Sequence, residues 1–287
     1  MTLAPWLYRH PLLTFCAAVY VISWGGILIV MGAHGFDLDI LRPMDTAFIF
    51  IAMLLGPSVS GLAMTAVLDG RLGLHRLRLS LIRWRVGARW YAIALLTMPL
   101  LLVTVLWPIS AFVDEAFAPR FQWQLFAVGV VAGSFEEIGW TGFATPRLLA
   151  RQRLFTAGLS LGLTWALWHL LVDFRQNFNT LRIVWLLQFA VFYIAALTAY
   201  RLLMTWVYGH TQSLLVAVLM HASYTGWLFV LYPATSARQD VVWQSTFAVA
   251  LWFVVGVGAV LIAASPRRRC PRAFQRPITV ERSGDSR

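Results

Sequence analysis

Four ionisable side chains lie inside otherwise apolar stretches of this sequence: Glu136 and Glu137 side by side, His169, and His221. An ionised carboxylate in hydrocarbon costs several kcal/mol unless a neighbour compensates it, so such residues are functional candidates by default. A carboxylate and an imidazole that meet in a dry cavity can share a water, take its proton and pass that proton to a leaving group. A second imidazole or a hydroxyl can donate to the developing oxyanion. These residue types therefore suit hydrolysis.

The two adjacent carboxylates are expected to have different roles. In a helix, consecutive residues diverge by roughly 100°, so Glu136 and Glu137 cannot both face the same partner. No cation is near Glu137 in the sequence of this stretch. We therefore expect Glu137 to be neutral at pH 7 unless Arg147 or another cation reaches it.

The composition places these residues in a membrane protein. The chain has 287 residues, of which 60% are hydrophobic and 12% charged, and its mean hydropathy is +0.71. That leaves too little polar surface for a soluble globule of this size. The net charge of +11 occurs in blocks between apolar stretches, which indicates the anionic cytoplasmic leaflet rather than nucleic acid. Cys16 and Cys270 indicate neither a disulfide framework nor a cysteine metal site.

Eight apolar stretches predict a bundle of about eight transmembrane helices, an all-α fold. They cover residues 12–31, 46–68, 90–112, about 125–145, 154–172, 183–200, 214–232 and 241–264. The Glu pair lies in the fourth, His169 in the fifth and His221 in the seventh. Residues 69–89, which alternate arginine with leucine and tryptophan, are typical of an amphipathic segment at the membrane surface.

The distribution of arginine predicts the orientation of the chain. All 23 basic residues are arginine, and an eight-span topology with both termini cytoplasmic places eighteen of them inside. The five on the other side are Arg42, Arg120, Arg175, Arg182 and Arg238. Residues 1–265 are expected to form one transmembrane domain, and residues 266–287 a basic, disordered tail held near acidic lipid.

Three motifs between about residues 125 and 226 share the pattern of one family. The pattern E-E-x-x-x-R, followed by G and then P-R-L, is similar to residues 136–142 and 146–148. An aromatic residue followed four residues later by His matches Trp165 and His169, and H-x-x-x-N is similar to residues 221–225. The chain therefore resembles the CAAX-prenyl protease and bacteriocin-processing family of intramembrane proteases, also called CPBP or Abi.

The resemblance implies an endopeptidase that cleaves a prenylated protein, a leader peptide or another membrane-associated chain. By motif position, Glu136 and His169 would activate the water, while Glu137 would orient or assist. His221 and Thr225 would hold the oxyanion. This chain departs from the pattern twice, with Thr141 in place of the motif Arg and Thr225 in place of the motif Asn.

Several alternatives stay open at this point. The family is described both as metalloprotease and as metal-free and glutamate-based, and Glu136, His169 and His221 could supply a three-ligand zinc site. The resemblance implies a multi-pass protein of the cell membrane, the inner membrane of a bacterium, with lipid and a peptide or protein substrate as partners. The two departures motivate a non-catalytic scaffold or immunity protein instead. A transporter with these residues as a proton relay is the third class.

Overall fold

The computed structural model describes residues 3–37, 40–176 and 180–264, and these residues are almost entirely helical. The prediction of an all-α polytopic membrane protein is confirmed. The predicted tail at residues 266–287 lies outside the described residues, and which side of the membrane holds the termini stays a prediction.

Twelve α-helices and two π-helices are found within the described residues. The α-helices are α1 (Leu3–Arg9), α2 (Pro11–Ala33), α3 (Pro43–Leu81), α4 (Ala88–Phe112), α5 (Phe126–Gly139), α6 (Thr145–Leu149), α7 (Leu154–Trp168), α8 (Leu170–Gln176), α9 (Arg182–Gln188), α10 (Thr198–Thr211), α11 (Leu214–Leu231) and α12 (Ala237–Ala264). The π-helices are Trp140–Ala144, between α5 and α6, and Phe189–Leu197, between α9 and α10.

Seven helical segments in the described part of the chain are long and apolar enough to cross a membrane. They are Pro11–Ala33, Pro43–Leu81, Ala88–Phe112, Leu154–Arg175, Arg182–Thr211, Leu214–Leu231 and Ala237–Val260. The stretch with the Glu pair, predicted as the fourth of eight spans, is not among the seven. It is divided into α5, a π-helix and α6, and α5 buries one side against other helices while Val130, Val131 and Phe135 on the other side are exposed.

Glycines let α5 approach its neighbours closely enough to bury the Glu pair. A Cβ on Gly129 would lie 2.2 Å from the backbone nitrogen of Gly226 in α11. On the other side, a Cβ on Gly139 would lie 2.2 Å from the carbonyl oxygen of Pro57 in α3. Small residues at such contacts let backbones of membrane helices come together. The Glu pair is therefore enclosed between α3 and α11.

The predicted amphipathic segment at residues 69–89 begins at a break within α3. Gly70 has φ 60° and ψ −152°, a conformation that essentially only glycine adopts. After this break the helix continues to Leu81 and turns beneath the bundle. Ser80 donates a hydrogen bond to the carbonyl oxygen of Gln212 at 3.0 Å, and Ser213 donates to that of Arg83 at 2.6 Å.

The sixth predicted span, residues 183–200, is shorter than the helical segment that the structure shows. Helix continues through the π-helix into α10 and ends at Thr211. Arg201, which the predicted sixth span leaves outside, therefore belongs to the helical segment, and its side chain is fully buried inside the bundle. A buried guanidinium needs an anionic partner, and α5 provides one.

Candidate active site

Glu137 lies at the centre of a buried network of charged and polar side chains. Arg201 donates from Nη1 to Oε2 and from Nη2 to Oε1, both at 2.9 Å. Thr141, one turn after Glu137, donates its hydroxyl to Oε2. Glu137 was expected to be neutral unless a cation reached it, and Arg201 of α10 is that cation. Arg147 pairs instead with Asp69.

His221 connects this network to Glu136. Its Nδ1 lies 2.7 Å from Oε1 of Glu137. An ionised carboxylate can only accept a hydrogen bond, so Nδ1 is the donor. This leaves Nε2 on the opposite side of the ring, 4.0 Å from Oε1 of Glu136. A single water can bridge two polar atoms at such a separation.

Glu136 faces away from Glu137, as the helical geometry of α5 predicts. Its Oε2 accepts a hydrogen bond of 3.0 Å from the indole Nε1 of Trp165, a residue of α7. The same indole ring lies 3.9 Å from the guanidinium carbon of Arg201, a cation–π contact. Trp165 therefore holds Glu136 through its edge and Arg201 through its face.

His169 is positioned by the break between α7 and α8. It follows the last residue of α7, and its Nδ1 donates 2.8 Å to the carbonyl oxygen of Trp165. Its ring packs against Trp168 and Tyr193, with centroids 4.8 and 5.1 Å away. Because Nδ1 is used in this hydrogen bond, Nε2 is the ring nitrogen that remains to interact with water or substrate.

A cavity of about 840 Å³ brings the sequence-predicted residues together. Glu136, His169, His221 and Thr225 all line it. Thr225 lies one turn beyond His221 on α11, as its spacing in sequence predicts. Glu137 is fully buried behind His221 and is not among the residues that line this cavity. Of the five candidates, Glu137 therefore contacts His221 but does not line the cavity.

Comparison with known proteins places this site within a recognised region. A model of the family described as type II CAAX prenyl endopeptidase Rce1-like matches residues 118–227, which contain every site residue above. CAAX prenyl protease 2 of Methanococcus maripaludis is 28% identical over 111 residues. The matched part of this chain is therefore similar to CAAX prenyl proteases, in agreement with the resemblance to the CPBP family. The match covers 37% of this chain and 40% of that relative's length.

Arg201 compensates one departure from the CPBP pattern. The family motif places Arg where this chain has Thr141, and Thr141 instead donates to the carboxylate that the motif Arg would pair with. The cation comes from Arg201, 64 residues further along the chain. The sequence analysis missed it because the sixth predicted span ends at residue 200 and so leaves Arg201 outside the bundle. The absent motif Arg was the available signal, since a buried carboxylate of this kind needs a cation from elsewhere.

The side chains, as the structure places them, do not form the three-ligand zinc site that the sequence left open. Within residues 3–37, 40–176 and 180–264, no three His, Cys, Asp or Glu side chains are placed to hold a metal ion. Two ligand atoms of a tetrahedral zinc lie roughly 3.3 Å apart, whereas Glu136 and His221 are separated by 4.0 Å. Their other polar atoms are engaged by Trp165 and Glu137.

Proposed function

We propose that this protein is an intramembrane endopeptidase that hydrolyses a peptide bond with a water held between Glu136 and His221. The observation that supports this most is the 4.0 Å separation of Glu136 Oε1 and His221 Nε2 on the wall of a buried cavity. The substrate is a membrane-associated chain, such as a prenylated protein or a leader peptide. The similarity to the Methanococcus maripaludis CAAX prenyl protease motivates testing a prenylated peptide first.

Charge balance indicates where the proton lies before reaction. Two carboxylates, Glu136 and Glu137, share the site with one guanidinium, that of Arg201. Buried charge is tolerated when it is paired, so the cluster is most stable with one proton shared between Glu136 and His221. With that proton on Nε2 of His221, Glu136 is an ionised base and His221 is a hydrogen-bond donor.

The catalytic steps follow from this arrangement. The oxygen of the bridging water attacks the carbonyl carbon of the scissile bond, and Glu136 takes a proton from that water at the same time. The carbonyl oxygen becomes an oxyanion and receives hydrogen bonds from Nε2–H of His221 and the hydroxyl of Thr225. When the C–N bond breaks, Glu136 passes its proton to the leaving amine. His169 presents Nε2 as an acceptor that orients the attacking water.

The network behind His221 has a positioning role. The Glu137 carboxylate fixes the ring orientation and stabilises the imidazolium form, as a carboxylate does behind a catalytic histidine. Arg201 keeps that carboxylate ionised. Of the two departures that motivated a non-catalytic scaffold, the one at Thr141 is thus compensated in this chain.

The activity can be tested on the purified, detergent-solubilised protein. A fluorogenic peptide ending in a farnesylated CAAX sequence serves as the first probe, and an unmodified leader-type peptide as the second. We expect cleavage that is lost in Glu136→Gln. A transporter would instead show proton-coupled flux in liposomes and no dependence of cleavage on Glu136.

Thr225 is expected to contribute as one donor to the oxyanion. Thr225→Val keeps the shape and removes the hydroxyl, so we expect kcat to fall by roughly 10²-fold, the usual cost of one such donor. Thr225→Asn restores the family's amide in the same helical register and should keep or raise activity. A Thr225→Val variant that cleaves at the wild-type rate would remove Thr225 from the mechanism. Thr246→Val, on the exposed surface of α12, is the matched control.

Metal chelation separates the two mechanisms described for the family. Because the described residues do not form a three-ligand set, we expect cleavage to survive prolonged treatment with 1,10-phenanthroline. Activity that disappears with the chelator and returns with added Zn²⁺ would contradict the metal-free proposal. The protein's zinc content, measured on the same preparation, gives an independent readout.

A further inference from the structure

The cavity that holds Glu136 and His221 extends to one end of the helical bundle. Its outer part is lined by residues at helix termini: Pro43 and Thr46 at the start of α3, Gln122 just before α5, Arg175 in the last turn of α8, and Tyr232 after α11. Pro43 and Thr46 are exposed. The segment before α5 also contacts the last turn of α11, since the backbone N–H of Gln122 donates to the carbonyl of Val230 at 3.1 Å.

The opposite end of the bundle is closed beneath the site. Trp140, Phe143, Tyr200 and Arg201 are fully buried on that side of the Glu pair. Below them, the segment after Gly70 is tied to the start of α11, where Ser80 accepts a hydrogen bond from the backbone N–H of Leu214. No residue of the ranges 71–89 or 145–153 lines the cavity.

The two ends of the bundle differ in the number of arginines that their loops contain. The closed end holds most of the loop arginines: Arg71, Arg76, Arg78, Arg83, Arg85, Arg89, Arg147, Arg151 and Arg153. The open end has only the five assigned to the outer side by the sequence. Loops rich in arginine stay in the cytoplasm, so the open end of the cavity faces away from it.

The cavity is lined mostly by apolar side chains, but several hydrogen-bond acceptors lie on its wall near the opening. Gln188 and Gln244 line it and are each more than nine-tenths buried, and the Oε1 atom of each has no hydrogen-bond partner within the described residues. Buried acceptors of this kind are normally satisfied by water or by a ligand. Asp240 lines the same wall and pairs there only with neutral donors, such as the indole of Trp243. Backbone N–H groups of an extended peptide suit these acceptors.

We propose that the peptide to be cleaved enters this cavity from the non-cytoplasmic side of the membrane. This rests on the proposed protease function and narrows its substrate class to an extended segment on the far side of the membrane, such as part of an exported or membrane-anchored polypeptide. Backbone N–H groups of that segment bind Gln188 and Gln244 while the scissile bond reaches Glu136 and His221.

Accessibility of single cysteines tests the direction of the opening without any substrate. In a Cys16→Ser, Cys270→Ser background, Gln122→Cys places a thiol in the mouth and Arg76→Cys places one on the exposed surface of the arginine-rich end. A membrane-impermeant maleimide is applied to right-side-out and to inside-out membrane vesicles. We expect Gln122→Cys to react only in the first and Arg76→Cys only in the second. Thr46→Cys repeats the mouth measurement if Gln122→Cys does not accumulate.

Reaction of Gln122→Cys only in inside-out vesicles overturns the proposal, as does a failure to react in either kind of vesicle.

A second experiment measures peptide cleavage after labelling. A poly(ethylene glycol) maleimide on Gln122→Cys should abolish cleavage, whereas the same adduct on Arg76→Cys should leave it unchanged. Full activity of the modified Gln122→Cys protein would show that substrate enters between helices from the lipid and would also overturn the proposal. If the unmodified protein cleaves no peptide, the protease proposal fails, while the labelling pattern still decides the direction of the opening.

Discussion

Glu136→Gln is expected to reduce peptide cleavage by roughly 10³-fold or more, to the background rate, while the bundle stays folded. The substitution keeps the shape of the side chain, and the amide oxygen can still accept the hydrogen bond from Trp165. What is lost is the carboxylate that takes a proton from the bridging water. Initial rates with the fluorogenic peptide, compared at equal amounts of folded protein, measure the effect.

Two further variants define what the Glu136 result means. His169→Ala is expected to abolish cleavage as well, because His169 presents the second acceptor on the wall of the same cavity. Glu115→Gln is the matched control, since it makes the same chemical change in an exposed loop. Wild-type rates from well-folded Glu136→Gln would refute the protease assignment.

The sequence predicted most of the fold because membrane helices leave a strong signal in one dimension. Apolar stretches located α4 and α11 to within a few residues, since long apolar stretches must form helices in lipid. The π-helix after α5 was not predicted. A π-helix does not change the hydrophobicity of the stretch in which it occurs, so the pattern of apolar residues does not reveal it.

The motif residues of the site were found in sequence, but the contact that joins their two halves was not. Helical spacing placed Thr225 one turn from His221 and separated the faces of Glu136 and Glu137. The pairing of Glu137 with Arg201 depends on how α5 and α10 pack. Hydrophobicity alone ended the sixth predicted span just before Arg201, because it counts a charged residue as unfavourable in the membrane whether or not another helix supplies a partner.

The roles proposed for the two carboxylates follow from the same packing. Glu136 faces the cavity and is held by a neutral indole, so its charge is available to a water. Glu137 faces a guanidinium, a hydroxyl and an imidazole, so its hydrogen-bonding capacity is used within the protein. One acts on substrate and the other positions His221. A motif of two identical residues thus divides into a reacting and a supporting member through the helices that face them.

Arg201→Leu is expected to destabilise the protein by about 3–5 kcal/mol, because it leaves the Glu137 carboxylate buried without its cation. The melting temperature in detergent should fall sharply, and cleavage should be lost as His221 loses its fixed partner. Arg147→Leu is the matched control. Its partner Asp69 is 45% exposed, and such pairs contribute less than about 1 kcal/mol.

A double variant distinguishes the pairing of Arg201 from a purely steric role. Removing both members of a buried ion pair is far less costly than removing one, since no uncompensated charge remains. The double variant Arg201→Leu, Glu137→Gln should therefore recover much of the melting temperature lost in Arg201→Leu. It should stay inactive, because an amide cannot stabilise the imidazolium of His221 as a carboxylate does. If the double variant melts no higher than Arg201→Leu, then Arg201 stabilises the bundle by packing against Trp165 rather than by pairing with Glu137.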